Sequence, residues 1–418
     1  MKVKVLGAGL EVGRSGFLVN CQDTNYLLDY GVNLGRNLQA PMHVMPKEVD
    51  SIIVTHAHLD HSGYVPMMYV SGTCPVYATP PTFDLSRILI EDMLRLEKEA
   101  HPFGLPEVHK MYSHAKQIGF NEKIKHGESS FELRNSGHVV GGGTVLLESE
   151  GKKLFYTGDI NVHGSRMLRE ADLDIGDIDL LITESTYSQT AQMPRKDSEE
   201  KFIEFANEVL DQKGTLFVPA FSVERSQEIA CVLKNAKFKH KIIMDGMALS
   251  VNEVLLRYPE YLRDYEVFVD AIENTVWVRT HSERKRELSE PCVIISPAGM
   301  LVGGNAVFYL QELALNKKNG IALVSYQGEG TPGRKLLDSG KVSIQGKDRK
   351  AEAQIRQFEF SGHSDRNALF DLIKKIQGNP KVLTVHGDGN SCTKFAQEIN
   401  ERFGFDAHAP KMGDVISI

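Results

Sequence analysis

Directly after the apolar run Ser51-Ile52-Ile53-Val54, the chain reads Thr55-His56-Ala57-His58-Leu59-Asp60-His61. Three imidazoles and a carboxylate packed within six residues would repel or stay unpaired without a cation. Imidazole and carboxylate are the borderline ligands that suit Zn²⁺. In the spacing H-x-H-x-D-H, His56 and His58 reach one ion while Asp60 and His61 reach a second. One loop supplies too few donors for two ions, so the fold must bring further ligands to the end of this strand. The candidates are His138, in Ser136-Gly137-His138 ahead of Gly141-Gly142-Gly143, and Asp159, which closes the run Leu154-Phe155-Tyr156-Thr157-Gly158-Asp159. Each lies at a strand end, as the first loop does.

A chain of 418 residues has room for two or three domains. Hydrophobic content of 41% and charged content of 25% exclude the disordered and fibrous classes. No apolar run is long enough for a membrane span, and the start, MKVKVLGAGLEVGRSG, lacks the apolar region of a signal peptide. The expectation is a soluble cytoplasmic protein with no membrane partner. Cys21, Cys74, Cys231, Cys292 and Cys392 are scattered and odd in number, which fits free buried thiols better than a disulfide framework or a thiolate metal site. Net charge is −7, but residues 189–351 carry 23 Lys+Arg against 22 Asp+Glu, leaving 25 against 33 elsewhere. Neither part contains a polybasic tail, so a polyanion would be held through a local site.

Strands and helices alternate throughout. From about residue 196 the rhythm becomes strictly β after α, with apolar strands such as GTLFVPAF, HKIIMDG, PCVIISPAG and NGIALVSYQ. Continuous apolar strands between helices predict a parallel sheet covered on both faces. A polar hairpin is expected near 345–350, after which strand QIRQFEF and helix NALFDLIKKI return the chain to its first domain. The predicted organisation is a discontinuous domain, 1–188 and 352–418, interrupted by an α/β domain at 189–351. A helix is expected over 82–99, and the run Arg284-Lys285-Arg286, flanked by Glu283 and Glu287, reads as a solvated face.

Asp29 in Leu27-Leu28-Asp29-Tyr30-Gly31, then H-x-H-x-D-H, His138 and Asp159 occur in one order, and this order resembles the metallo-β-lactamase fold. The resemblance implies an αββα sandwich, Asp159 bridging two metals and Asp29 orienting the site from behind. Further motifs narrow it: Glu184 in Glu184-Ser185-Thr186-Tyr187, His363 in Phe360-Ser361-Gly362-His363-Ser364-Asp365, and His386 in Val385-His386-Gly387-Asp388. These resemble motifs A, B and C of the β-CASP nucleases, in which the trio flanks an inserted, doubly wound α/β domain. A His in motif C is the version associated with RNA-processing members. SGHSD, VHGD and YQGEGTPGR look most like the archaeal homologues of the cleavage and polyadenylation specificity factor endonuclease. Longer members of that group carry N-terminal KH-type domains, whereas this sequence opens on the first strand of the catalytic domain.

The resemblance implies a two-zinc RNA phosphodiesterase in RNA 3′-end processing or maturation, leaving 3′-hydroxyl and 5′-phosphate ends. His56, His58 and His138 would hold one Zn²⁺, and Asp60, His61 and His386 the other, with Asp159 shared. His363 would protonate the leaving group, kept cationic by Glu184. The partner is RNA, with a homodimer or association with related processing-factor subunits as further expectations. Ser296 and Gly299, in Ser296-Pro297-Ala298-Gly299-Met300, present backbone N–H groups to a phosphate or form an ordinary glycine-rich turn. Arg225 and Arg334 are either phosphate contacts or structural ion-pair partners. The alternatives are a 5′→3′ exoribonuclease of RNase J type, a non-catalytic subunit of an RNA-processing complex, and a small-molecule hydrolase of the same fold.

Overall fold

In the strand Asn25–Tyr30, Tyr26 and Leu28 enter one buried cluster while Leu27 enters another. Side chains alternate across a strand, so a segment buried on both faces reads as continuously apolar. This pattern builds a seven-stranded sheet in the order Val415–Ser417, Lys2–Val5, Gly16–Asn20, Asn25–Tyr30, Ser51–Ile53, Val76–Ala78, Ala115–Gln117. A second seven-stranded sheet runs Asp406–His408, Lys381–Val385, Leu180–Glu184, Lys152–Tyr156, Gly143–Ser149, Ser129–Asn135, Ile124–His126. One core draws Val5, Phe17, Leu28 and Ile53 from the first sheet and Leu133, Val145, Leu154 and Ile182 from the second, so the sheets pack face to face. Phe83, Ile90 and Met93 of helix Pro80–Leu96 cover the outer face of the first sheet, with Val108 of helix Leu105–Ser113. Leu369 and Ile373 of helix Arg366–Lys375, with Phe395 and Ile399 of helix Gly389–Phe403, cover the second. The αββα layering is thereby complete.

The structure is a computed structural model describing residues 1–22, 24–34, 38–96 and 101–418. The expected helical stretch 97–99 lies outside the described residues. The chain divides into two compact units: Met1–Gly164, Arg169–Ala191 and His363–Ile418 form the sandwich, and Ser165–Leu168 with Gln192–Gly362 form the second unit. The second unit has a six-stranded sheet in the order Val276–Val278, Ile242–Asp245, Val293–Ser296, Leu216–Pro219, Gly320–Leu323, Gln354–Gln357, parallel at every pairing. Phe217, Ile243, Ile294 and Ile321 face one cluster, while Leu216, Met244, Ile295 and Ala322 are equally buried on the opposite face. Both faces are covered, which is the doubly wound arrangement.

Two sequence expectations need correction here. The strand at QIRQFEF does not return to the first domain, because Gln354–Gln357 pairs with Gly320–Leu323 at the edge of the second unit's sheet. The boundary therefore falls at 362/363 rather than 351/352. Arg284 is not on a solvated face: its Nε and Nη2 donate to Asp245 at 2.5 and 3.0 Å. Asp245 is fully buried and also accepts from Asn305 Nδ2 and Tyr309 Oη, so a strand end needed this cation where local sequence showed only a charge run.

Cys21, Cys231, Cys292 and Cys392 are buried, Cys74 is half-buried, and all five are free. Among the described residues, no helix is long and apolar enough to cross a membrane.

Candidate metal centre

Within the sandwich, the strands Asn25–Tyr30 and Ser51–Ile53 are parallel, as are Lys152–Tyr156, Leu180–Glu184 and Lys381–Val385. Parallel strands end together, so Asp29, His56, Asp159, Glu184 and His386 emerge at one edge although up to 357 positions separate them. The acids that follow two of the histidines fix the chain's exit: Asp365 accepts from Ala368 N and Asp388 from Ser391 N, capping helices Arg366–Lys375 and Gly389–Phe403. Gly158, at φ +52°, lets the Asp159 turn approach Thr55; a Cβ there would lie 3.0 Å from Thr55 Oγ1.

Two four-donor groups result, His56–His58–His138–Asp159 and Asp60–His61–Asp159–His386. In the first, His58 Nδ1 lies 3.2 Å from both His56 Nε2 and His138 Nε2, and Asp159 Oδ2 lies 3.6 and 3.5 Å from those Nε2 atoms. In the second, His61 Nε2 lies 3.3 Å from both His386 Nε2 and Asp159 Oδ1, and His386 Nε2 lies 3.2 Å from Asp60 Oδ2. Tetrahedral donors about 2.0–2.1 Å from a zinc ion stand roughly 3.3–3.4 Å apart, so both spacings fit that ion. Asp159 Oδ1 is buried and accepts no hydrogen bond among the described residues. An orphaned carboxylate oxygen facing imidazole nitrogens is what a cation would satisfy.

The imidazoles divide: against burial, Asp159 and Asp29 raise His61 well above its ordinary value and Asp159 and Asp60 raise His386, whereas His56 and His58 are lowered. Burial, with His61 beside it, pushes the His56 imidazole well below its ordinary value, and burial lowers His58 to about 4. Both rings are neutral at pH 7 and turn lone pairs inward, as metal ligands must. Burial opposes ionisation of Asp159, yet His386 and His61 outweigh it and hold its carboxyl well below the usual range.

Residues 18–188 match the Metallo-beta-lactamase superfamily domain, residues 226–336 the Beta-Casp domain, and residues 349–410 the Zn-dependent metallo-hydrolase RNA specificity domain. Over its whole length the chain is 36% identical to the RNase aCSPSF2 of Saccharolobus solfataricus, covering 85% of that protein. The chain belongs to the β-CASP metallo-β-lactamase family. It is also 33% identical to the probable RNase MJ4 of Methanocaldococcus jannaschii, with 100% of both chains covered, and 31% identical to the transcription termination factor FttA of Thermococcus kodakarensis, covering 71% of it. A crystal structure of a protein of unknown function from Enterococcus faecalis V583 shares the fold at TM-score 0.65 and 16% identity, with 99% of each chain covered.

Beside the two donor groups, this β-CASP chain places a third cluster of Asp159, Glu184 and His363. His363 Nδ1 lies 2.9 Å from Glu184 Oε2, and Glu184 Oε1 accepts from Ile160 N at 2.7 Å. His363 Nε2 stands 4.0 Å from Asp159 Oδ2. Burial would lower the His363 imidazole, but Glu184 and Asp159 prevail and raise it to about 9, so the ring is cationic at neutral pH.

Asp29 sits behind the centre, fully buried. It accepts from Thr55 N at 2.7 Å and, each at 2.8 Å, from Thr55 Oγ1, Tyr156 Oη and His61 Nδ1. With Nδ1 committed to Asp29, His61 turns Nε2 toward Asp159. Sequence reasoning missed Tyr156, which reads as one more buried strand residue, and Thr186. The Thr186 hydroxyl donates to the His386 carbonyl, and Ser185 Oγ donates to Val385 O at 2.6 Å, so the two turns are stapled together. His386 is held at φ +51°, and a Cβ on the following Gly387 would come within 2.7 Å of Ser185 Oγ.

The four weaker candidates all belong to the second unit. Ser296 and Arg225 are buried, and Ser296 Oγ donates to Pro297 O. Arg334 is exposed and pairs with Asp338 at 2.9 Å. Ser296 and Gly299 follow the strand Val293–Ser296, beside Leu216–Pro219. The chain leaves these neighbouring strands in opposite directions, the position where open α/β sheets bind ligands.

Proposed function

We propose that the chain is a two-zinc endoribonuclease acting in RNA 3′-end processing or maturation. The observation that carries this is the pair of four-donor groups sharing Asp159, with the His363–Glu184 pair alongside. His56, His58 and His138 would hold one ion, Asp60, His61 and His386 the other, and Asp159 would serve both. Bound there, the ions supply Lewis-acid neutralisation of phosphate charge and activation of a water nucleophile. Asp29 orients His61 and, through the Thr55 hydroxyl, His56, whose Nδ1 lies 3.1 Å from Thr55 Oγ1. Glu184 takes the Nδ1 side of His363, leaving Nε2 to carry the proton that the departing 3′-oxygen needs. The products are then 3′-hydroxyl and 5′-phosphate ends.

The names of the relatives, RNase and transcription termination factor, support an RNA substrate over a thioester or lactone. At the second unit's switch point, Gly299 supports a phosphate contact through backbone N–H groups rather than through the buried Ser296 hydroxyl. The deciding experiment uses RNA labelled separately at each end. Internal fragments appearing first establish endonuclease action, whereas mononucleotides released from a 5′-monophosphate end would establish the exonuclease instead. No RNA cleavage by zinc-replete protein, with turnover of thioesters or lactones, would overturn the reading.

A further inference from the structure

The cations that the sequence scatters through residues 341–350 are gathered by the second unit onto one tight hairpin. Strands Lys341–Ile344 and Lys347–Lys350 pair antiparallel, with Ile344 opposite Lys347 and Lys341 opposite Lys350. Gln345 and Gly346 link them at φ +50° and +75°, the two left-handed residues of a type I′ turn, whose twist matches the strands and makes the ribbon stiff. Val342 and Ile344 anchor it in a core shared with Leu310, Leu313 and Leu336. All four residues of Lys347–Lys350 are exposed.

Its electrostatics are locally unfavourable. The ribbon carries Lys341, Lys347, Arg349 and Lys350 but a single acid, Asp348, which is taken by Lys335 at 2.6 Å. The register puts Lys347 and Arg349 on the face of Ile344 and Val342, and Lys341 and Lys350 on the other. Among the described residues no ion pair engages the other four cations, although most arginines of this unit have an acidic partner. Lys341 and Lys350 stand directly opposite each other, a like-charge cross-strand pair that weakens the ribbon. A stiff, outward cationic ribbon in a chain of net charge −7 is relieved by a polyanion. Lys347 and Arg349, exposed at alternate positions of one strand, stand about 6.6 Å apart, a spacing that two successive phosphates of an extended single strand can match.

We propose that the hairpin Lys341–Lys350 is a docking surface for the phosphodiester backbone of the RNA substrate, independent of sequence. The proposal rests on the ribonuclease reading above. Its test is the salt dependence of binding of a phosphorothioate single-stranded RNA, which keeps the backbone charge and resists hydrolysis, to the full zinc-loaded chain. The triple variant Lys347→Gln/Arg349→Gln/Lys350→Gln should bind more weakly, with a log K against log salt slope shallower by about 2, at roughly 0.7 per phosphate contact. A control, Lys123→Gln/Lys152→Gln/Lys153→Gln, loses the same charge from sandwich lysines, exposed at 123 and 152 and half-buried at 153, that pair with Glu148 and Asp179. It should keep the wild-type slope. An unchanged slope in the hairpin variant, or an equal drop in both variants, overturns the proposal while leaving the ribonuclease reading intact. Wild-type chain that neither binds nor cleaves RNA overturns both.

Discussion

The Thr186 hydroxyl lies 3.0 Å from the carbonyl oxygen of His386 and 3.3 Å from its Nδ1. Its proton goes to the carbonyl, so its oxygen is left to accept from Nδ1–H, which turns the lone pair of Nε2 toward Asp60 and His61. Thr186→Val keeps the shape and removes both contacts. On the two-zinc reading, the ion held by Asp60, His61 and His386 should then weaken by about 10–100-fold, while Thr186→Ser stays near wild type. Dialysis against graded chelator with metal analysis measures this, and a valine variant that holds both ions at wild-type affinity would refute the role.

Asp159 is the one residue common to both four-donor groups. Asp159→Ala should weaken both ions together, and His386→Ala mainly the second. Zinc analysis of the purified variants tests the assignment, which fails if Asp159→Ala retains two tightly bound ions.

His363 lies outside both groups and pairs with Glu184. His363→Ala should keep zinc content and fold while lowering kcat by about 10²–10⁴-fold, the usual worth of a positioned general acid. Glu184→Gln should act in the same direction but less severely, because the imidazole remains. Metal content and turnover measured on one preparation decide: loss of a zinc would make His363 a ligand, and normal turnover would mean the proton comes from elsewhere.

Glu224 gives the second unit a pH-dependent stability. Burial, with Glu228 nearby, raises its carboxyl to about 8, and its Oε2 has no hydrogen-bond partner among the described residues. The folded state therefore holds a proton that the unfolded chain has released. This contribution is fully present below the ordinary value of 4.5 and is lost as pH rises through about 8. Across that window it falls by up to about 1.4 kcal/mol per pH unit. Glu224→Gln is neutral throughout, so thermal melts from pH 6 to 9 should show a smaller loss of Tm than in wild type. Parallel loss in both proteins would remove Glu224 as the cause.

Much of this protein was legible before its structure. The H-x-H-x-D-H loop announces metal chemistry because four such donors within six residues have few other stable uses. The parallel sheet of the second unit follows from apolar strands between helices, a strictly local pattern. Even the polar hairpin near 345–350 was visible. The resemblance then supplied Asp29, Glu184 and His363, which no local rule would have selected.

What local pattern leaves open is which distant group meets which. The two imidazoles of His61 and His386 touch across 325 positions, and Tyr156 reaches Asp29 across 127. Periodicity says that Tyr156 is buried, not that its hydroxyl ends on a carboxylate. In the same way, Arg284 passed for surface charge until the sheet brought Asp245 beneath it, and Gln354–Gln357 passed for a returning strand until it paired with Gly320–Leu323. Residue types and their short-range spacing determine the available chemistry and the kind of element, because both act over a few residues. Tertiary structure decides the pairings, because strand order and register set which side chains leave water together, and desolvation makes each pairing consequential.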